Sequence, residues 1–542
     1  DTLSLHDALP IFASVRIART LAAFSSRAIT TITAAVMELL DTTIVNVALN
    51  QISGALGATI EDIAWVITSY AIANVIIIPM TGFLGEYFGR KNYYLGSMIL
   101  FGIASYFCGM SESLWELVFW RFIQGIGGGA LLSTSQAILF DAFEPEDRPM
   151  ASGFFGMGII LGPSLGPVLG GYLVDNFHWS DIFLVNIPIC IIAVVLTVVY
   201  IDRKEGEGAN RRNMEIDYLG IIFLMVTVGA LQFMLEKGES EGWFDSKLIN
   251  ICAFLFLTGL AAFIYREISI DQPVVNLKIF KNQTFTMSSI FTLVGGFGLF
   301  TSVFVYPIMV QRINGLTPTE TGLSLMVPTF LGVFLFPMIG RYLSKGGKPL
   351  PFMIAGILIY IVFGFIGGES TSDMGRWDFF PMQMLRVIGV SFLQMPLINQ
   401  AVAGLKPNEY AAGISLTNMI RQLGGAFGIA VANNYATTRA AQHRSDLLSN
   451  ITAENPLFQQ RWQGLSQTMA QKTGQLIESG NIAYKQIDIM VTKQAYYLAY
   501  LDTFRLVSII FILIFPFVFL IKTPKKTSVD TAKLAKASEE AH

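Results

Sequence analysis

Residues 37–49 read Met-Glu-Leu-Leu-Asp-Thr-Thr-Ile-Val-Asn-Val-Ala-Leu and place two carboxylates, Glu38 and Asp41, inside an apolar run extending from about 28 to 49. At ~1.5 Å rise per residue, a helix of that length crosses a hydrocarbon layer of about 30 Å. Charge at that depth is costly, so an acid there marks a functional site facing a protein interior or cavity.

Composition sets the class. The chain has 542 residues, 53% hydrophobic and only 14% charged. An ordinary soluble protein carries about 25% charged residues, so this chain lacks the polar side chains to cover a soluble surface and reads as a polytopic membrane protein in a lipid bilayer. A net charge of −3 argues against a nucleic-acid partner. Cys108, Cys190 and Cys252 fall in apolar runs without ligand spacing, and His6, His178, His443 and His542 fall in stretches read as loops or tails. No metal site or intramembrane histidine relay is expected.

Fourteen apolar segments are long enough to span: 28–49, 63–83, 93–111, 114–139, 150–174, 181–201, 217–235, 248–265, 285–309, 320–340, 351–368, 379–403, 411–435 and 501–521. An even number puts both ends of the chain on one side. Loops on that side carry Arg90, Lys91, Arg148, Arg203, Lys204, Arg211, Arg212, Arg266, Lys278, Lys281, Arg341, Lys345, Lys348 and Lys406, against Lys237, Lys247, Arg312 and Arg376 opposite. The positive-inside rule makes the first side cytoplasmic. Residues 1–27 form a basic cytoplasmic lead-in; 1–12, Asp-Thr-Leu-Ser-Leu-His-Asp-Ala-Leu-Pro-Ile-Phe, resemble translated sequencing-adapter read-through and are set aside. No cleavable signal is evident, so the first span itself directs insertion.

Short repeats organise the spans. Pro79-Met-Thr-Gly82 returns as Pro337-Met-Ile-Gly340, Arg121-Phe-Ile-Gln-Gly125 loosely as Arg386-Val-Ile-Gly389, and Ala151-Ser-Gly153 as Ala411-Ala-Gly413, at offsets of 258, 265 and 260 residues. The offset pairs spans 1–6 with 9–14 and leaves two inserted. The expected fold is all-α: a first six-helix bundle at 28–201, a linker with two extra helices at 202–284, a second parallel six-helix bundle at 285–521, and a cytoplasmic tail at 522–542. Two such halves around a midplane cavity suit alternating access. Between 436 and 500, apolar residues such as Leu447, Leu448, Leu465 and Met469 recur at spacings near three and four, predicting one or two amphipathic helices on the outer face. That segment is either a docking or shielding surface or an extended cap on the last spans.

Several strings resemble the major facilitator superfamily. Gly82-Phe-Leu-Gly-Glu86-Tyr-Phe-Gly89-Arg90-Lys91 is similar to its cytoplasmic loop signature, with Glu86 for the usual Asp and Tyr87 for the usual basic residue. A tight turn at Gly89 with Glu86 near Arg90 reads as a charge latch on the cytoplasmic gate. Leu117-x-x-x-Arg121-x-x-Gln124-Gly125-x-Gly127 resembles the fourth-span motif. The fifth span holds Gly158, Gly162, Pro163, Gly166, Pro167, Gly170 and Gly171 in an order similar to the antiporter motif of drug exporters. Leu40-Asp41-Thr-Thr-Ile-Val-Asn-Val-Ala-Leu49 looks like the first-span signature of fourteen-span drug:proton antiporters, with Asn50 where that family usually has Pro. Trp65-Val-Ile-Thr-Ser-Tyr70 fits its second span, and 494–504 resemble the stretch before the last span of EmrB- and QacA-like efflux permeases. After the fifth span, Trp179-Ser-Asp-Ile-Phe183 lacks the family's usual Arg.

The resemblance implies a multidrug efflux permease of the bacterial inner membrane, driven by the proton gradient without a cofactor, working in Gram-negative cells with a periplasmic membrane-fusion adaptor and an outer-membrane channel. In the residue reading, Asp41 accepts the proton, Glu38 one turn earlier shares or tunes the charge, and Arg121 couples to them. With Asp41 as acceptor, a proton and a cationic or amphipathic drug compete for one carboxylate, and a proton moving through 100 mV releases about 2.3 kcal/mol, enough for a gradient near fifty-fold. The alternative is that Asp41 is tied permanently to Arg121 or caps neighbouring backbone. Asn46, Trp65, Tyr70, Asn74, Gln124, Tyr306, Gln394, Asn399, Asn418 and Gln422 are expected to line the cavity, with Arg421 as a second intramembrane cation favouring an anionic substrate group. An enzyme would need a clustered nucleophile, metal set or cofactor loop, and a channel a repeated filter. A dedicated exporter of one metabolite or siderophore is the rival within transport.

Overall fold

The computed structural model describes residues 5–143, 147–203, 216–270, 272–406, 409–449, 451–473 and 476–521. Lys204, Arg211 and Arg212 of the linker, and the tail 522–542, lie outside the described residues, as does His542. The first half comprises α1 (Leu5–Leu56), α2 (Ile60–Ile63), α3 (Trp65–Ile77), α4 (Thr81–Phe88), α5 (Arg90–Met110), α6 (Leu114–Ala142), α7 (Arg148–Asn176), α8 (Asp181–Leu184) and α9 (Asn186–Tyr200). Then come α10 (Tyr218–Lys237) and α11 (Lys247–Ser269). The second half comprises α12 (Gln283–Arg312), α13 (Pro318–Ser344), α14 (Leu350–Gly368), α15 (Phe380–Ala403), α16 (Tyr410–Ser449), α17 (Pro456–Thr473) and α18 (Leu476–Ile514).

Local chemistry explains the breaks. Gly89, at φ 82°, joins α4 to α5 in a conformation that favours a residue without Cβ. Ser113 caps α6 by accepting from Glu116 N, and Thr317 and Glu320 form a reciprocal capping box at α13. α3 passes through a 3-10 turn at Ile78–Met80 before continuing as α4, where Pro79 interrupts the ladder.

Twelve of the expected spans are apolar enough to cross a membrane by composition alone. The other two are α6 and α16. Both are long helices, but much of their surface is covered by neighbouring helices and carries Arg121, Gln124, Asn418 and Arg421, so protein rather than lipid surrounds their polar groups. The loops rich in Arg and Lys gather at one end, the basic end. Beyond the opposite end, α16 runs unbroken to Ser449, so His443 sits on a helix rather than in a loop, and α17 packs on α18.

The halves meet along two seams. α7 lies on α13 over its whole length, from Gly153 beside Phe336 and Pro149 beside Gly340 to Val168 beside Gly322. The other seam forms at the basic end, where Thr81 and Ser415 share a hydrogen bond of 2.6 Å and Gly82 touches the Ala412 backbone. The inserted α10 rests on both α3 and α16, belonging to neither half.

Candidate functional site

α1 carries Glu38 and Asp41 three residues apart, yet the two acids enter different surroundings. Asp41 is fully buried and saturated. Its Oδ2 accepts from Arg121 Nη1 at 2.6 Å, and its Oδ1 from Gln124 Nε2 at 3.0 Å and Asn186 Nδ2 at 2.7 Å. Arg121 is 1% exposed, donates from Nε to the Val66 carbonyl at 3.2 Å, and lies 4.1 Å from the centroid of the Tyr70 ring. Ser105 Oγ accepts from both Gln124 and Asn186. Five helices thus converge on one polar knot, and removing a partner from such a pair costs about 3–5 kcal/mol by leaving a buried charge unpaired.

Glu38 is the under-satisfied acid. It is 3% exposed; Oε1 accepts from Asn74 Nδ2 at 3.1 Å, while Oε2 has no partner. The Tyr70 hydroxyl and Asn74 Oδ1 beside it are also buried and unpartnered. Gly128 makes the room, because a Cβ there would stand 2.4 Å from the Tyr70 hydroxyl and 3.5 Å from Glu38 Cγ. From the second half, Arg421 on α16 feels the Glu38 charge, and its Nε is buried without a hydrogen bond.

The glycine string of α7 positions this site. Cβ atoms at Gly158, Gly162, Gly166 and Gly170 would strike Ile32, Leu39, Thr43 and Ile44 of α1 at 2.9, 2.7, 2.0 and 2.9 Å. Glycine at every fourth position therefore seats α1 directly on α7. A Cβ at Gly171 would lie between the two neighbours, 3.7 Å from Thr319 on α13 and 4.0 Å from Val47 on α1, and Ser164 shares a 2.9 Å hydrogen bond with Thr329 on α13. Pro163 and Pro167 lie inside the same helix.

The sequence model of the Major Facilitator Superfamily matches residues 31–429. The chain belongs to this superfamily. Multidrug export protein EmrB of Escherichia coli K12 is 34% identical over 445 residues, covering 81% of this chain and 86% of that protein. Fatty acid resistance protein FarB of Neisseria gonorrhoeae is 33% identical over 488 residues, covering 90% and 94%. Among solved structures, the human organic anion transporter MFSD10 superposes with a TM-score of 0.58 at 12% identity, covering 92% of this chain and 99% of that one, a likeness of fold.

Within this superfamily scaffold the remaining residues separate by location. At the basic end, Arg90 forms an ion pair with Asp141 of α6, whereas Glu86 is exposed and only within electrostatic reach of Arg90. The ion-pair partner of Arg90 is thus Asp141, a residue that spacing did not single out, rather than the expected Glu86. Lys91 Nζ donates to the Val198 carbonyl at 3.0 Å. Asn418 donates to Ser133 Oγ and Gln136 Oε1 across the halves, and Asn399 accepts from Ser152 Oγ at 3.3 Å. Gln422 is half-buried beside Arg421 on α16, and Asn46 is exposed on α1.

Three more residues stand apart from Glu38. Tyr306 is buried within the second half, bonded to Ser324 at 2.8 Å. Gln394 is buried near Gly295, its Nε2 unpartnered. Trp65 sits toward the opposite end, 5.6 Å from Phe233 of the inserted α10 and 5.1 Å from Lys237 Nζ. Sequence reading missed Asn186 and Ser105; an asparagine opening the apolar run 186–200 was the available signal. Among the described residues no cluster of three or more potential metal ligands occurs.

Proposed function

We propose that the chain is a proton-coupled antiporter that exports hydrophobic and amphipathic compounds, cationic drugs among them, by alternating access. Glu38 exchanges proton for cargo in this reading, and Asp41 is the fixed counter-charge of Arg121. The observation that carries it is the unpartnered Glu38 Oε2, buried beside Asn74 and within electrostatic reach of Arg421 of the second half. A buried carboxylate oxygen without a partner is a place where either a proton or a cationic group of the cargo can be held, and the two exclude each other. Both oxygens of Asp41 already accept from side-chain donors. The names of the relatives support drug export as the activity.

In the same reading, the basic end is cytoplasmic, both ends of the chain lie inside, and the protein resides in the bacterial inner membrane. Residues 28–201 and 285–521 are the rocking halves, and 202–284 are an accessory insertion. Gly82, Glu86, Gly89, Arg90 and Lys91 hold the cytoplasmic gate shut, and the α7 glycines keep α1 seated during export. The proton gradient is the energy source, with no cofactor. A periplasmic adaptor and outer-membrane channel are the proposed partners, with α17 as the docking element.

The test is dye efflux from energised cells, with ethidium and a panel of chemically different dyes, comparing wild type with Glu38→Gln and with and without an uncoupler. Uncoupler-sensitive efflux lost in Glu38→Gln at normal membrane abundance is the expected result. Undiminished efflux in that variant would remove Glu38 from the coupling step, and efflux indifferent to the uncoupler would remove proton coupling altogether.

A further inference from the structure

The second half holds a cavity of about 230 Å³ outside the central site, where α12, α16 and α18 diverge at the end opposite the basic one. Ala432 and Ala436, one turn apart on α16, leave the space, and Phe304, Val305 and Ile308 of α12 form the facing wall. The rim is polar. Arg312 closes α12 and interacts with the Tyr500 hydroxyl, while Asn433 and Thr437 border the opening from α16. Arg312 is exposed, and among the described lining residues no carboxylate neutralises it.

This arrangement is specific to the second half. About 260 residues earlier, where the repeat places its equivalent, α1 carries the buried Ile52 instead of an arginine. A lone guanidinium at the mouth selects an anion, and arginine suits the planar or tetrahedral oxygens of carboxylate and phosphate. The apolar wall below it is wasted on a small inorganic anion. The volume is below the roughly 300–1,000 Å³ of drug pockets, so it admits a headgroup and its adjoining carbons rather than a whole drug.

We propose that this cavity binds an anionic amphiphile, its phosphate or carboxylate head on Arg312 and Tyr500 and the start of its tail against Phe304 and Ile308. The site shares no residue with the Glu38 and Asp41 clusters and does not depend on their assignment.

The experiment is native mass spectrometry of the full chain purified in detergent. The protein is titrated separately with dioleoylphosphatidylglycerol, with dodecyl phosphate, and with dodecyltrimethylammonium as the charge-reversed control. At least one anion binds wild type one-to-one, and Arg312→Gln weakens that binding by about tenfold or more, as loss of a charge-assisted hydrogen bond predicts. Ala436→Leu, which fills the cavity and keeps the cation, weakens it too. Binding confined to the phospholipid identifies a membrane lipid as occupant, and binding confined to dodecyl phosphate identifies a free amphiphile. Anion affinities unchanged in both variants, or an ammonium that binds as well as the anions, would overturn the proposal.

Discussion

At the scale of single residues, the informative contrast is between two acids three positions apart. Asp41 has three donors from three side chains; Glu38 has one. Asp41→Asn removes the counter-charge of the buried Arg121, and the expected cost is about 3–5 kcal/mol, read as a clear fall in the thermal transition of the purified protein. Glu38→Gln keeps the Asn74 hydrogen bond and discards only a poorly solvated charge, so its transition is expected to stay within about 1 kcal/mol of wild type while coupled efflux is lost. Equal destabilisation by the two substitutions would contradict this division. The second half gives an internal comparison. Arg386, which the repeat pairs with Arg121, is buried, bonds Gln383 at 2.6 Å, and has no acid in ion-pair contact among the described residues. The second half thus has the buried cation without a carboxylate in contact.

At the scale of elements, α7 is the part whose sequence translates most directly into contact. Gly166→Val adds bulk where even a Cβ lies 2.0 Å from Thr43 Oγ1, and is expected to cost about 1–3 kcal/mol and to lower transport by shifting α1. Gly54→Ala, on the exposed last turns of α1 where a Cβ meets nothing within 4 Å, is the control; it should be neutral or slightly stabilising by helix propensity. A chemical-denaturation series on the two variants separates them. The same helix shows why the fold was legible in the chain. Apolar length gave the spans, small residues at every fourth position marked α7 as a helix that others approach closely, and the repeat paired the halves. The polar knot was only half legible. Asp41, Arg121 and Gln124 stand in recognisable strings, but Asn186 is 145 residues from Asp41 and meets it only through the packing of α9 on α1. Asp141 is likewise brought to Arg90 by the alignment of α6 against α5, and neighbouring-helix register is not written in spacing along one helix.

At the scale of the whole molecule, the seam at the basic end joins Thr81 and Gly82 to Ser415 and Ala412, with Phe140 packed among Ile398, Val402 and Ile414 beside them, and the proposed gate requires it to part. A disulfide between Thr81→Cys and Ser415→Cys, in a chain with Cys108, Cys190 and Cys252 replaced, should form readily because the two native hydroxyls are 2.6 Å apart. Oxidation is expected to stop transport and reduction to restore it; unimpeded efflux from the fully cross-linked protein would show that this seam does not part. The other seam has a different consequence. Because α7 and α13 interlock from end to end, what holds the halves together is surface fit rather than the peptide bonds that run between them. The polypeptide is therefore divisible. A chain cut between α9 and α10 and produced as two co-expressed fragments should reassemble into a working transporter, with the first fragment recovered bound to the second through α7. Covalent continuity, on this view, matters for synthesis and for stoichiometry, and the finished molecule does not need it to stay whole.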